Sequence, residues 1–193
     1  MEQGKLQPLK LGVTGGIGSG KTSVCRVFCV LGIPVFYADP EASNIMNSDS
    51  HVIEELNRIA GKDLYKDGVL DRLELASLIF NNREVIKRVN SLVHPVVFEN
   101  FRKWATFQDS PYVIMEAAIL FESGASELVD RVATVIAPVE ERIARVTRRN
   151  RLTREQVSER IKRSDYIINN SENEMIIPAV LKIHEDIIEH LNA

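Results

Sequence analysis

Two hydrophobic periodicities alternate along the chain. A short apolar run at Leu9 to Val13 is followed by Val24, Val27, Phe28 and Leu31, spaced i, i+3, i+4 and i+7 as on one helix face. The pattern predicts a strand, a loop and a helix. Gly32-Ile33-Pro34 closes that helix, and Val35-Phe36-Tyr37 supplies a second short strand running into Ala38-Asp39-Pro40. From Glu41 to about Phe107 the segments read as helices with polar faces, broken at Lys66-Asp67-Gly68 and Asn81-Asn82, with no β-rich run. This predicts a helical insertion. Leu73, Ala76, Leu78, Ile79 and Phe80 form one apolar cluster, Val85, Val89, Leu92 and Val93 another, and Val96, Val97, Phe101 and Trp104 a third. All are read as core. Proline biases the residue before it away from helix, so His94-Pro95 predicts an interruption, with His94 as a hydrogen-bonded structural group.

Beyond the insertion the pattern returns to strands. Tyr112-Val113-Ile114-Met115 is a buried-strand candidate ending at Glu116; Leu120, Phe121 and Glu122 follow near a turn at Gly124. Arg131 to Ala137 reads as another strand. Pro138, Glu140 and Glu141 then open a helix that becomes basic, with Arg142, Arg145, Arg148, Arg149, Arg151 and Arg154 placing six arginines in thirteen residues. Thr153 with Gln156 offers a capping signal for a further helix, and Tyr166 to Asn170 reads as a last strand and turn. Val180, Leu181, Ile187, Ile188 and Leu191 mark an apolar stripe on a final helix that Pro178 either starts or kinks. Strands interleaved with helices predict an α/β fold, a parallel sheet with helices on both faces.

Composition narrows the function without naming it. With 193 residues, 45% of them hydrophobic and 26% charged, the chain is of ordinary globular type and long enough for one good core. A net charge of -3 and a pI near 5.9 argue against a general nucleic-acid binder. No apolar run approaches the roughly 20 residues of a membrane span, so no membrane partner is expected and the cytoplasm is the expected setting. Cys25 and Cys29 sit four apart on the first helix, and without a second pair they read as small core or flank residues. Oligomeric state lies beyond the sequence.

The chemistry is concentrated between the first strand and helix. Gly15-Gly16-Ile17-Gly18-Ser19-Gly20-Lys21-Thr22 fits G-x-x-x-x-G-K-[ST], and Ser23 continues into the helix. Backbone N–H groups wrap a phosphate only where side chains do not block them, which favours glycine. The following helix points its positive end at the anion; Lys21 then reaches the β and γ phosphates and the Thr22 hydroxyl ligates Mg²⁺. Asp39 lies just past a strand's carboxyl end, where open α/β sheets bind ligands. It reads as a catalytic acid, as an N-cap with Pro40 at the first helical position, or as both. Glu116, closing an apolar strand, has the form of a metal-holding carboxylate, a weak signal on its own. Arg145 and Arg149, four apart on one helical face, fit a clamp on a transferring phosphoryl group. Together these parts have the plan of a small P-loop kinase: one domain over 1–193, with a helical substrate lobe at about 40–107 and an arginine-rich lid at about 142–164 that excludes water on closing.

At this point the chain resembles the dephospho-CoA kinase family over nearly its whole length. The resemblance rests on Leu11 to Thr22, Ala38-Asp39, Asp67-Gly68-Val69-Leu70-Asp71-Arg72, Asn90 with His94-Pro95, Leu120-Phe121-Glu122, the arginine helix and Asn169-Asn170. It implies ATP-dependent phosphorylation of the ribose 3′-hydroxyl of dephospho-CoA, giving CoA and ADP in the last step of coenzyme A biosynthesis, with Mg²⁺ accompanying ATP. Asp39 then matches the acid that orients or deprotonates the hydroxyl, and Arg145 and Arg149 match basic lid positions. His94, Leu120 and Phe121 match stretches lining the acceptor side, and Asn170 falls in the turn near the adenine. The chain departs from the family pattern in four places. Tyr37 stands where the family commonly has a first Asp, Ser43 stands near a usual basic residue, and Ala118 replaces a proline. The stretch between Ile161-Lys162 and Asp165-Tyr166 is shorter by on the order of ten residues.

Two other readings stay open on sequence alone. One is a different small-molecule or nucleotide P-loop kinase, since the lobe's specificity is not legible in residue chemistry. The other is a GTP-dependent switch protein, against which stand the lack of Asn-Lys-x-Asp and of Asp-x-x-Gly after the P-loop.

Overall fold

The computed structural model describes residues 7–80, 82–138, 141 and 154–192. The chain divides into two compact units, one made of the part up to Tyr37 together with the part from Lys103 onward, the other of Ala38–Arg102.

The first unit is built on a five-stranded sheet. Its strands are β1 (Leu9–Gly15), β2 (Val35–Tyr37), β5 (Tyr112–Glu116), β6 (Arg131–Ile136) and β7 (Tyr166–Asn169), in the order β2-β5-β1-β6-β7, and every pairing is parallel. Parallel sheets are covered on both faces, which is why β5 is buried along its whole length and reads as a continuous apolar run. Side chains alternate across the sheet. Leu11, Val13, Tyr112, Ile114, Ala133, Val135 and Ile168 face a core shared with Val24, Cys25 and Phe28 of α1 (Lys21–Val30) and Val180, Ile183 and Ile187 of the last helix, α7 (Ile176–Asn192). Phe28 meets Tyr112 edge to face at 6.3 Å between ring centroids, and the Tyr112 hydroxyl lies 2.8 Å from His184 Nδ1. The opposite face carries α6 (Arg154–Lys162), which is followed by a short link into β7. Ser164 in that link donates to the Arg160 carbonyl at 2.6 Å and is met by the Thr134 hydroxyl of β6 at 2.6 Å. The stretch from Arg163 to Asp165 is thus a compact turn hydrogen-bonded to its neighbouring strand.

The second unit is helical: α2 (Ala38–Ser48), α3 (Ser50–Ala60), α4 (Arg72–Phe80) and most of α5 (Arg83–Thr106). Short polar side chains start the last three of these helices. Asp49 accepts from the Val52 N–H at 3.1 Å, Asp71 from those of Leu73 and Glu74 at 3.1 Å, and Asn82 from those of Glu84 and Val85 at 3.1 and 3.2 Å. The break at Lys66-Asp67-Gly68 is a small antiparallel hairpin, β3 (Tyr65–Lys66) with β4 (Val69–Leu70), where no strand was expected. Asp67 and Gly68 both adopt positive φ there, as a two-residue hairpin turn demands.

Three further expectations are corrected. Helix α5 runs through His94-Pro95 without a break. Val89, Val93, Val97, Phe101 and Ala105 recur every four residues along it, all buried, while Pro95 is exposed, so the carbonyl that loses its N–H partner is on the solvent side. Leu73 is 81% exposed and Ala76 is exposed; among the described side chains of α4 the buried one is Leu75, with Leu78 and Ile79 on its face at i+3 and i+4. On α7 the buried stripe is Val180, Ile183 and Ile187, leaving Leu181 and Leu191 exposed, and Pro178 sits in the first turn. The helix-opening segment at Pro138 to Glu141 and the Thr153 cap fall on or beside residues outside the described set. No described helix is long and apolar enough to cross a membrane.

Because Phe28 is fully buried between sheet and helices, Phe28→Ala should destabilise the protein by about 3–5 kcal/mol in urea unfolding. A loss under 1 kcal/mol would mean that this face is loosely packed.

Candidate active site

All five strands of the sheet run the same way, so their carboxyl ends share one edge, and β1 ends there in a loop that enters α1. Two close approaches fix that loop. A Cβ on Gly15 would stand 2.3 Å from the Val135 carbonyl oxygen, and one on Gly20 would stand 2.0 Å from Asn170 Nδ2. Gly20 also holds φ +92, a left-handed conformation that side chains disfavour. Neither position admits another residue without moving its neighbour.

Helix α1 begins on Gly20 with no side-chain cap. Its first N–H groups and positive dipole end are therefore left for an external acceptor. Ser19 is buried and its Oγ has no hydrogen-bond partner among the described residues, nor has Thr14 Oγ1 at the end of β1. Buried hydroxyls are normally paired, so these two mark a loop completed by something outside the protein. Lys21 Nζ donates to the Gly15 carbonyl at 3.3 Å and lies 3.6 Å from Glu116 Oε1, with both side chains about 10% exposed. The lysine is folded back over the loop and its charge is balanced by the acid that ends β5. Burial, and after it that carboxylate, pushes the Cys25 thiol up, as suits a buried core group. Thr22 and Ser23 are exposed on the first turn.

Asn170 is brought onto this loop from 150 residues away. Its backbone N–H bonds the Ile136 carbonyl at 2.8 Å, and its Nδ2 donates to the Ser19 carbonyl at 2.8 Å. Peptide planarity then turns the Gly20 N–H away from Asn170. Leu120 is buried beside β1, 2.8 Å from where a Gly12 Cβ would be, and half-buried Phe121 carries the Arg163 guanidinium over its ring at 4.2 Å.

In the helical unit, Asp39 is exposed and is the second residue of α2; the helix starts two residues earlier than an N-cap at Asp39 requires. Its carboxylate stands in the first turn, where the dipole favours it. His94 lies on α5 with its ring stacked on Phe98 at 5.9 Å, and burial holds it below the ordinary histidine range, neutral at pH 7. Arg145 and Arg149 lie outside the described residues. Two arginines that the sequence did not single out, Arg160 and Arg163, reach the Leu120 to Glu122 segment; only the fold shows that α6 is laid against it.

Comparison with known proteins bears on most of the chain. The family model described as dephospho-CoA kinase matches residues 9–176. A dephospho-CoA kinase of Bacteroides fragilis is 35% identical over 186 residues, covering 91% of each chain. Among solved structures, the protein TT1252 of Thermus thermophilus superposes with a TM-score of 0.78 at 31% identity, covering 93% of this chain and 97% of that one. A dephospho-CoA kinase of Campylobacter jejuni does so with a TM-score of 0.71 at 25% identity, covering 94% and 98%.

The Asn170 contact gives a direct test of the loop. Asn170→Ala should weaken Mg-ATP binding by about 3- to 10-fold, the worth of one neutral hydrogen bond. Unchanged calorimetric affinity would mean that the loop's own backbone holds it.

Proposed function

The chain belongs to the dephospho-CoA kinase family, and from that membership we propose that it phosphorylates the ribose 3′-hydroxyl of dephospho-CoA with ATP, giving CoA and ADP. The observation that carries the reading is the uncapped start of α1 with Lys21 held over it against Glu116. That arrangement is a ready anion site whose lysine has a resting partner.

The roles follow from what each group offers. The N–H groups from Gly15 to Thr22 receive the ATP phosphates, and Ser19 Oγ supplies a further donor where it is otherwise unpaired. When phosphate enters, Lys21 exchanges the Gly15 carbonyl for phosphate oxygens and spreads the charge that builds on the transferring group. The donor set suits Mg²⁺, which prefers hard oxygen ligands: the Thr22 hydroxyl is exposed on the first turn, and Glu116 is a carboxylate beside Lys21. Thr22 would hold the ion, with Glu116 through water; bound there, it neutralises charge on the β and γ phosphates. Asp39 orients the acceptor hydroxyl and takes its proton. His94, Leu120 and Phe121 line the acceptor side, and Arg145 and Arg149 clamp the phosphoryl group from the lid. The cytoplasm suits this chemistry, and among the described residues both cysteines are free thiols.

A coupled ADP-release assay with Mg-ATP should show turnover with dephospho-CoA and little without an acceptor or with nucleosides, and CoA should appear as product. Turnover confined to another alcohol would keep the kinase and remove this acceptor. Asp39→Asn should lower kcat by roughly 100-fold or more while Mg-ATP affinity changes little. Near-normal turnover would take Asp39 out of its role. Lys21→Ala should lower kcat with every acceptor, and an active variant would undercut the phosphate-loop reading itself.

A further inference from the structure

Arg160 is the most deeply buried charged side chain in the first unit among the described residues, only 6% exposed, and most of its hydrogen-bonding capacity is unused. Its Nη2 donates to Glu122 Oε1 at 2.5 Å. Its Nε and Nη1, which carry three more N–H bonds, are shut off from solvent and have no partner among the described residues. An unsatisfied donor on a charged buried group is costly, so such a group calls for an acceptor, whether water or a bound anion, that completes it.

The surroundings indicate what kind of acceptor. Arg160 and Arg163 both come from the end of α6 onto Leu120-Phe121-Glu122, the segment that leaves the carboxyl end of β5. Glu122 balances one of these two positive charges and is itself 48% exposed. Nearby, β5 ends on Glu116, against which the phosphate-loop lysine rests. The pair therefore has one cation fixed in the interior and one carboxylate free to move into water. A guanidinium with a planar fork of free donors matches an anion with several oxygens, and phosphate is the anion this fold handles.

We infer that Arg160 is a phosphate-binding residue, neutralised by Glu122 when no substrate is present, whose remaining N–H groups take the anionic oxygens of a bound substrate as Glu122 swings aside. This rests on the kinase reading above, which supplies two sources of that chemistry: the phosphates of ATP and the diphosphate of dephospho-CoA.

Arg160→Met, Arg160→Lys and Glu122→Gln, with the unaltered protein, are to be compared for thermal midpoint, for calorimetric affinity toward Mg-ATP and dephospho-CoA separately, and for kcat. Arg160→Met removes both unpaired donors and leaves Glu122 half in water, so its midpoint should stay within about 2 °C of the unaltered protein. Its substrate affinity or kcat should fall roughly 10- to 100-fold, the loss expected for a charged hydrogen bond. Arg160→Lys should stay impaired because an ammonium has no fork, whereas Glu122→Gln should keep or gain affinity because the competing carboxylate is gone. A loss in the Mg-ATP arm assigns the nucleotide's phosphates, a loss in the dephospho-CoA arm the acceptor's diphosphate, and a loss in kcat alone the transferring group. The inference is overturned if Arg160→Met keeps kcat and both affinities. It is overturned equally if Arg160→Met and Glu122→Gln lose midpoint and activity in parallel, the mark of a purely structural bridge. If the unaltered protein binds Mg-ATP but not dephospho-CoA, the proposed acceptor is wrong, and the Mg-ATP arm alone decides the role of Arg160.

Discussion

The passage from β1 into α1 sets the terms for the rest of the first unit. Backbone must pass within van der Waals range of backbone at Gly15 and of an amide at Gly20, and only residues without a Cβ allow it. What that closeness secures is a tight loop entering a helix whose start has no side-chain cap among the described residues. The neighbouring elements serve it. Strand β6 supplies the Val135 carbonyl that Gly15 skirts, β7 delivers Asn170 to the Ser19 carbonyl, and β5 ends on the acid that holds Lys21. The parallel arrangement makes this possible, since it brings the carboxyl ends of all these strands to one edge.

Much of this was legible in the sequence, for reasons that differ by element. Strands β2, β5 and β7 are short β-rich runs bounded by turn residues, and the phosphate loop combines a fixed spacing with the right flanking pattern, so both announce themselves locally. Pro95 misled because the rule against helix before proline is local, while α5 is held by five buried residues at a spacing of four and places Pro95 on the solvent side. Leu73 is as apolar as its neighbours but lies at the wrong angle on the helix; Leu75 lies on the buried face instead. The hairpin at Tyr65 to Leu70 was missed because four strand residues are too few to show a period. Yet the run from Asp67 to Arg72 that marked the family resemblance has a plain structural meaning there. It is a turn of two positive-φ residues followed by the helix cap Asp71.

Site residues divide along the same line. Gly15 to Thr22 act through backbone adjacent in sequence, so a motif captures them. Asn170 was placed near the nucleotide by resemblance, but its donation to the Ser19 carbonyl joins residues 151 apart and has no local signature. Arg160 carries even less signal. It is one arginine in a basic stretch, and only the packing of α6, fastened to β6 through Ser164 and Thr134, separates a buried guanidinium from the solvated ones around it. The short link after α6 belongs to that fastening: the Asp165 N–H bonds the Val132 carbonyl at 2.8 Å, and the Asp165 carboxylate accepts from the Val132 N–H at 2.7 Å.

Two cation and carboxylate pairs stand near the carboxyl end of β5, Lys21 with Glu116 and Arg160 with Glu122, and they solve one electrostatic problem. A site that is to receive several phosphate charges needs cations already in place and poorly hydrated, because water competes for them. A cation left alone in such a place costs several kcal/mol, and the free protein has to hold it without its anion. A carboxylate resolves the conflict if it yields when phosphate arrives, and the two pairs differ in how it would yield. Glu116 is as buried as Lys21, so there the lysine, on its flexible stem, is the partner suited to move. Glu122 is half exposed while Arg160 is fixed, so there the acid is the one suited to leave. One arrangement delivers a mobile point charge and the other a rigid fork, and a transferring phosphoryl group has use for both.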